Sequence, residues 1–377
     1  MTHAQMIRTE DSTLSHCMYI ALELSNKSWK LLSSDGVKRR QKSIAARDLE
    51  ALEKEIQKAR HYLKLDDKVT IYSCYEAGRD GFWLHRYLQG AGINNIVVDS
   101  SSIEVSRRFR RVKTDRVDVG KLLGMLMRYQ NGEQKLWSVL HVPSVEQEDD
   151  RRIHREIERL KKERTSHSNR IRSLLILHGL NVKVDRNFIQ GLEHLKQFDG
   201  QALPQHLVDE IRREYGRYEL VNEQLKQLSD QKAAQLKGQS KSAQQVRQLL
   251  MLKGIGQVGS WNLVYEFFAW REFKNVKQVG AASGLAPTPY ASGDATIEQG
   301  ISKAGNRRVR TLMIELSWHW LRYQPGSQLS RWFQRRFGPN GKRMRRVGIV
   351  ALARKLLVAL WKFLQKGLVP EGAVVKV

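Results

Sequence analysis

The chain lacks several things, and each absence narrows what it can be. Cysteine is nearly missing: Cys17 and Cys74 are the only two in 377 residues. They form no Cys-x-x-Cys pair and have no histidine at zinc-ligand spacing, which argues against structural zinc and fits a reducing cytoplasm. There is no long unbroken apolar run. The longest, Val347 to Phe363, is interrupted by Arg354 and Lys355 and reads as a packed helix, with no membrane span. The first sixteen residues are polar and lack an apolar core, so no secretory signal is expected and the location reads as cytoplasmic. Acid is scarce too. Asp and Glu total 39 against 65 Lys and Arg, leaving a net charge of +26. A basic excess of this size is the footprint of a polyanion partner, DNA or RNA, because solubilising surfaces usually mix signs.

The length allows two or three domains, each with its own core. Met18–Leu24, Ser28–Ser33 and Val37–Ile44 read as three meandering strands with a turn at Ser34-Asp35-Gly36. Arg47 to Leu63 has helical period through Leu49, Leu52, Ile56, Ala59 and Leu63. Val69–Tyr75 is a strand, Asp80–Gln89 a helix and Asn95–Asp99 a strand, and a basic stretch then leads into a helix from Asp115 to Met127. This order is that of an RNase H-like α/β domain, although several α/β folds begin similarly.

From about Val145 the pattern changes. Ile153, Ile157, Leu160, Arg164, His167, Ile171 and Leu174 follow a heptad seam with two polar interruptions. A second helical tract runs from Leu207 to Leu228, with a helical elbow at Leu180–Pro204 between the two. The pair reads as a coiled-coil arm, folded on itself or pairing between protomers. From Gln245 the chain is mostly helical, with a Gly-rich loop section at 280–305. Between Lys303 and Lys362 fifteen cations face the single acid Glu315, and Trp318, Trp320, Tyr323, Trp332 and Phe333 are interleaved with them. Aromatics so spaced are more often core than base-stacking platforms. The charge marks this region as the nucleic-acid-facing surface.

Acidic residues persisting in so basic a chain point to a cation site. Glu23 and Glu76 each end a strand, and in an RNase H-like sheet those strands are neighbours. Asp115 and Asp118 are three apart, on one face of a helix. Four carboxylates converging in this way suit Mg²⁺, and a pair of such ions can activate an attacking oxygen and stabilise the leaving oxygen of a phosphodiester. The alternative for any one acid is an ordinary surface charge. Gly254-Ile255-Gly256-Gln257-Val258-Gly259 matches G-x-G-x-x-G, but a helix precedes it, so a helix-hairpin-helix with Gly254 and Gly256 presenting N–H groups to phosphate is the better reading. A plain interhelical turn is the other. Ser292, in a loop beginning near Pro287, is a candidate nucleophile, with Lys303, Arg307, Arg308 and Arg310 following as cations for developing phosphoryl charge.

Four segments together resemble the DEDD transposases: Tyr75-Glu76-Ala77-Gly78-Arg79-Asp80-Gly81-Phe82, Lys113-Thr114-Asp115-Arg116-Val117-Asp118, Gly284-Leu285-Ala286-Pro287 and Ser302 to Arg310. These transposases are bridge-RNA-guided recombinases of bacterial insertion sequences. The chain is most similar to the 1111 subgroup of insertion-sequence family 110. The resemblance implies a RuvC-like, RNase H-type domain over residues 17–138, a coiled-coil arm over 144–245, and a mostly helical transposase domain over 246–377. It implies that Glu76, Asp115 and Asp118 bind Mg²⁺ and that Ser292 attacks DNA to give a covalent phosphoserine link. It further implies a structured noncoding guide RNA pairing with donor and target DNA, and a tetramer built from dimers in which one protomer's acids meet another's serine. Where the family usually has Asp as its first acid, the matching strand here carries Glu23. Two other readings stay open on the residues alone: a RuvC-like metal-dependent nuclease using water attack, and a non-catalytic nucleic-acid-binding scaffold.

Overall fold

The computed structural model describes the backbone of residues 17–103, 115–292 and 295–376, and their side chains except at 101, 115–118, 289–292 and 295–299. The chain divides after Val142 into two units.

In the first unit β1 (Cys17–Leu24), β2 (Ser28–Ser34) and β3 (Arg39–Ala45) form an antiparallel meander. Then come α1 (Leu49–Tyr62), β4 (Thr70–Glu76), α2 (Trp83–Gly90), β5 (Asn94–Val98) and α3 (Asp115–Gln130). The five-stranded sheet has the order β3-β2-β1-β4-β5, with β4 parallel to both β1 and β5. Central strands flanked by helices on both faces must be apolar on both. Met18, Ile20, Leu22, Trp29, Leu31 and Ile71 pack on one face with Leu52, Ile56 and Leu84 of α1 and α2. Ala21, Leu32 and Cys74 pack on the other with Val119, Leu122 and Leu123 of α3. Asp48 caps α1 by accepting from the Ala51 N–H. The expected elements of this unit are all present, with bounds shifted by up to three residues.

The second unit opens with α4 (Val145–Asp149), whose Ser144 and Gln147 form a capping box. Next, α5 (Arg152–Ile176) runs antiparallel to α7 (Gln205–Lys237), the short α6 (Phe188–Gly191) lying in the elbow between them. His167 interrupts the seam because it pairs with Glu214 of α7 at 2.6 Å; Arg217 binds the same carboxylate at 2.8 Å. The arm is therefore a helical hairpin within one chain. Then follow α8 (Lys241–Leu250), α9 (Gln257–Leu263), a π-helical turn at Val264–Phe268, and α10 (Val276–Ala282). The unit ends with β6 (Pro287–Ser292), β7 (Ala295–Ile301), α11 (Arg307–Tyr323), α12 (Gln328–Phe337) and α13 (Lys342–Lys366). Ile349, Leu352, Leu356, Leu357 and Leu360 bury the apolar stretch of α13 as a core helix. Among the described residues no helix is long and apolar enough to cross a membrane. Trp320 and Phe333 are core, whereas Trp318 and Tyr323 are exposed.

One expectation is corrected. Pro287–Ser292 and Ala295–Ile301 pair as a two-stranded antiparallel ladder, where a loop was expected. Proline is tolerated there because the ladder is an isolated pair with a register shift between Pro287 and Pro289, and an edge or a bulge spares the missing N–H.

Candidate functional site

In the first unit the sheet itself brings Glu23 and Glu76 together. β1 and β4 are in register from Cys17↔Thr70 to Leu22↔Tyr75, so continuing one residue places Glu23 beside Glu76. Side chains alternate along a strand, so Glu23 shares the face of Ala21, and Glu76 shares that of Cys74. That is the face covered by α3. Both glutamates line one open cavity of about 440 Å³, together with Leu122 of α3. Glu23 is half-buried, with Oε2 shielded from solvent, and Glu76 is exposed.

Asp115 and Asp118 open α3, seven and four residues ahead of Leu122, at helical spacing for the same stripe. Their side chains lie outside the described residues, as do Lys113 and Thr114 altogether. Among the described residues no group of three or more metal-ligating side chains forms.

A third carboxylate of the cavity escaped the sequence reading. Asp80 follows Glu76 by four residues and lines the same wall. Its side chain is only 5% exposed and is held by Arg47 at 2.8 Å. Arg47 has a left-handed backbone (φ 67°) just ahead of α1. Asp80 is thus neutralised in place and shapes the wall, while Glu76 has no ion-pair partner among the described residues.

In the second unit Ser292 is the last residue of β6, paired with Ala295 of β7 at the end of the ladder away from Pro287 and Ile301, and its side chain lies outside the described residues. The base of that hairpin is clamped. Ser302 N–H donates to Ala286 O (2.9 Å), Lys303 N–H to Gly284 O (3.2 Å) and Asn306 N–H to Ala282 O (2.9 Å). Gly284 and Gly305 have φ of +68° and +95°, and a Cβ on either would sit 2.1 Å from Ala304 O or 2.3 Å from Ala282 O. Only glycine allows this approach. Arg310 staples the clamp by donating from Nη1 to Lys303 O (3.0 Å) and Ser283 O (3.3 Å). Lys303 is exposed in a left-handed conformation (φ 56°). Arg307 and Arg308 are exposed in the first turn of α11, and Arg308 pairs with Glu158 of α5. Asn306 caps that helix by accepting from the Arg308 and Val309 N–H groups.

Gly254 and Gly256 form the turn between α8 and α9. Gly254 has φ +91°, and Gly256 is the N-cap of α9 with no side chain to occupy the first-turn N–H groups. Gly259 is small because a Cβ would lie 3.0 Å from Leu316 of α11. A helix, α8, precedes the motif, which excludes a dinucleotide turn.

Also missed was Glu266, buried in the π-helical turn. It accepts from His154 Nε2 (2.7 Å), Arg155 Nε (2.6 Å), Arg155 Nη2 (2.9 Å) and Asn306 Nδ2 (3.3 Å). Burial alone would raise its pKa, but the hydrogen bonds from Arg155 and His154 overcome that and hold it well below the usual range. Burial lowers His154, against the pull of Glu266. The signal was legible: Glu266 is the one charge in the apolar run from Leu263 to Trp270. It ties α5, the π-turn and the N-terminus of α11 together, above a groove of about 600 Å³ lined by Glu158, Lys162, Asn262, Arg307 and Arg308.

Residues 246–331 match the model of the transposase IS116/IS110/IS902 family. The span covers α8 to α12 and includes the glycine turn, the clamp and the hairpin. "Putative transposase y4rJ" of Sinorhizobium fredii is 41% identical to the chain, over 95% of this chain and 94% of that protein. The transposase for insertion sequence element IS1328 of Yersinia enterocolitica is 26% identical over 58% of this chain and 63% of its own. The transposase for insertion sequence element IS1111A of Coxiella burnetii is 27% identical over 59% of this chain and 60% of its own. The chain belongs to the IS116/IS110/IS902 family of insertion-sequence transposases.

Proposed function

We propose that the chain is a site-specific DNA recombinase of an insertion sequence that cuts and rejoins DNA through a phosphoserine intermediate on Ser292, guided by a structured noncoding RNA. The observation that carries the reading is the meeting of Glu23 and Glu76 at one edge and on one face of a 3-2-1-4-5 sheet, with Asp115 and Asp118 opening the helix that covers it. In this reading residues 17–138 are a RuvC-like RNase H-type domain, 144–245 a coiled-coil arm, and 246–377 the transposase domain, working as a tetramer of two dimers in the cytoplasm.

The donor set is all carboxylate oxygen, which fits a hard cation, and Glu23, Glu76, Asp115 and Asp118 would hold it. Bound Mg²⁺ would offset charge on the attacking and leaving oxygens. The rest of the chemistry belongs to the chain. Ser292 Oγ forms a bond to phosphorus as the phosphodiester's bond to one deoxyribose oxygen breaks. That oxygen leaves as a hydroxyl, taking up a proton to balance the one lost by serine. A hydroxyl from another strand reverses the exchange, so the number of phosphodiester bonds is conserved. Lys303 and Arg307, exposed beside the clamp, are placed to meet phosphoryl charge. The clamp made by Gly284, Gly305 and Arg310 fixes the angle at which the hairpin is presented.

The test is to quench reactions in denaturant and look for DNA-linked protein. Ser292→Ala is expected to abolish adducts while leaving nucleic-acid binding intact, and Glu76→Gln to suppress them in Mg²⁺. Adducts persisting in Ser292→Ala remove the serine from the chemistry. DNA cleavage without adducts in the unsubstituted protein means water attack instead. Sequencing of co-purified RNA tests the guide: it should complement the element's ends.

A further inference from the structure

The basic segment from Lys303 to Lys362 is not electrically uniform. At its start the cations are partly engaged: Arg308 with Glu158, and Arg310 with two carbonyls. Arg354 is packed along α10, where a Cβ on Gly280 would meet its Nε at 2.9 Å. The α12–α13 corner differs. Arg335, Arg336, Lys342, Arg343, Arg345 and Arg346 are all exposed, and none pairs with a carboxylate among the described residues. No acid occurs from Leu316 to Pro370 that could neutralise them.

We propose that this corner is a docking surface for the phosphate backbone of DNA. Three features single it out. Four of the cations stand in the first two turns of α13, which has no acid in its first turn and no side-chain cap on Gly341. The positive end of a helix dipole is the least favourable place for like charge, so the arrangement works against the helix until an anion arrives. Arg335 and Arg336 lie in the last turn of α12, the nearer of the two only six residues before Lys342. The two sets are also held rigidly. Gly348 allows α13 to close on α12, since a Cβ there would lie 2.5 Å from Phe337 and 2.9 Å from Phe333. A fixed double row of cations suits a polyanion with regular charge spacing. This inference rests on the recombinase reading for its partner and extends it by naming where the DNA is held.

The measurement is the salt dependence of binding to a 40-base-pair duplex, for the full chain and for a variant with Arg335, Arg336, Arg343, Arg345 and Arg346 all changed to Gln. Each phosphate neutralised adds about 0.9 to the slope of log affinity against log salt. The variant should therefore lose affinity, and the ratio of parent to variant affinity should fall about 40-fold between 50 and 200 mM salt if three cations engage, or about 500-fold if all five do. Its melting temperature should change little, because the three charges lost from the start of α13 relieve an unfavourable dipole interaction while the two lost from the end of α12 give up a favourable one, so weakened binding cannot be ascribed to unfolding. A charge-matched control changes Arg39, Lys42, Lys58, Lys64 and Lys68, all exposed on the first unit, to Gln. Equal losses in the control, an unchanged slope in the variant, or a loss confined to a duplex RNA probe would each overturn the proposal. Serine adducts measured at saturating protein separate it from the parent reading. Unchanged slopes with adducts present defeat the docking surface alone, and a shifted slope without adducts in the parent protein defeats the serine chemistry alone.

Discussion

Glu266 offers the sharpest test of how the second unit is held. Its carboxylate takes two hydrogen bonds from Arg155, one from His154 and one from Asn306, with its side chain 2% exposed. Glu266→Gln keeps the shape and removes the charge. Whichever way the amide turns, its NH₂ faces donors, either Arg155 Nη2 and Asn306 Nδ2 or Arg155 Nε and His154 Nε2. Breaking a buried pair typically costs about 3–5 kcal/mol. The Arg155 side chain is 44% exposed and keeps part of its hydration, so the low end applies, about 3 kcal/mol. The two units need not unfold together, so the readout should be local as well as global. Hydrogen exchange should rise in the first turns of α5 and α11 together, and urea unfolding should shift by the stated amount. With Arg155→Met in a double-mutant cycle, a coupling of about 1.5 kcal/mol or more is expected.

The same joint sets a pH response. Glu266 is lowered below 4.5 and His154 below 6.5, so for both the unfolded chain binds protons first as pH falls. Stability contributed by each is present above those ordinary values and is lost on acidification, beginning near pH 6.5 with His154 and continuing below 4.5 with Glu266. A Glu266→Gln protein within about 0.5 kcal/mol of its parent, with additive cycle energies, would refute the reasoning.

Three further outcomes follow from other sites. Gly284→Ala or Gly305→Ala should cost about 2 kcal/mol or more, from a left-handed backbone and a Cβ forced onto a carbonyl, and should expose the hairpin base to proteolysis. Uncleaved hairpins in both variants would count against the clamp. Lys232, buried over the Trp261 ring at 4.7 Å, has its pKa pushed down to about 8, first by burial and then by Lys161. That is an opposing term of roughly 3 kcal/mol at neutral pH, and about 1–2 kcal/mol of ring attraction offsets it. Lys232→Leu should therefore stabilise the protein by about 1–2 kcal/mol and remove a rise in stability between pH 8 and 10.5; a loss of stability would mean the ring contact dominates. Asp80→Asn should cost about 1 kcal/mol through Arg47 with adduct yield nearly intact, whereas Glu76→Gln should leave melting unchanged and suppress adducts. The reverse pattern would exchange their roles.

In the first unit β4 and β5 were legible from β-branched and aromatic residues such as Ile71, Tyr72, Ile96 and Val97, whereas β2 holds no β-branched residue and was legible from its apolar pattern and the turn after it. The helical hairpin was legible from its seam, but the reason for the break at His167 was not. Its partner Glu214 lies 47 residues away, and a spacing rule reaches only one turn. Ser292 was placed on a loop because Pro287, Pro289 and Gly293 are turn residues wherever strands are central. In an isolated two-stranded ladder those rules relax, and Tyr290-Ala291-Ser292 pairs with Ala295-Thr296-Ile297 regardless.

Acids mean two different things in a chain this basic. Glu55, Glu214 and Glu266 are buried and matched by arginines, Arg40, Arg217 and Arg155, at 2.6–2.8 Å. Glu55 joins α1 to β3 and Glu266 joins the π-turn to α5, while Glu214 reaches α5 through His167 and Arg170, Arg217 being its neighbour on α7; each would be costly to leave charged without its partner. Asp80 belongs with them by its hold on Arg47, although it lies on the cavity wall. Glu76, four residues earlier, is exposed at a strand end where nothing in the sheet requires a charge. The informative contrast is therefore between acids whose arginine is supplied by the fold and those left facing a cavity. Glu76 has no arginine among the described residues, so its charge does no work in holding the sheet together, and the Glu76→Gln substitution can remove that charge without disturbing the fold.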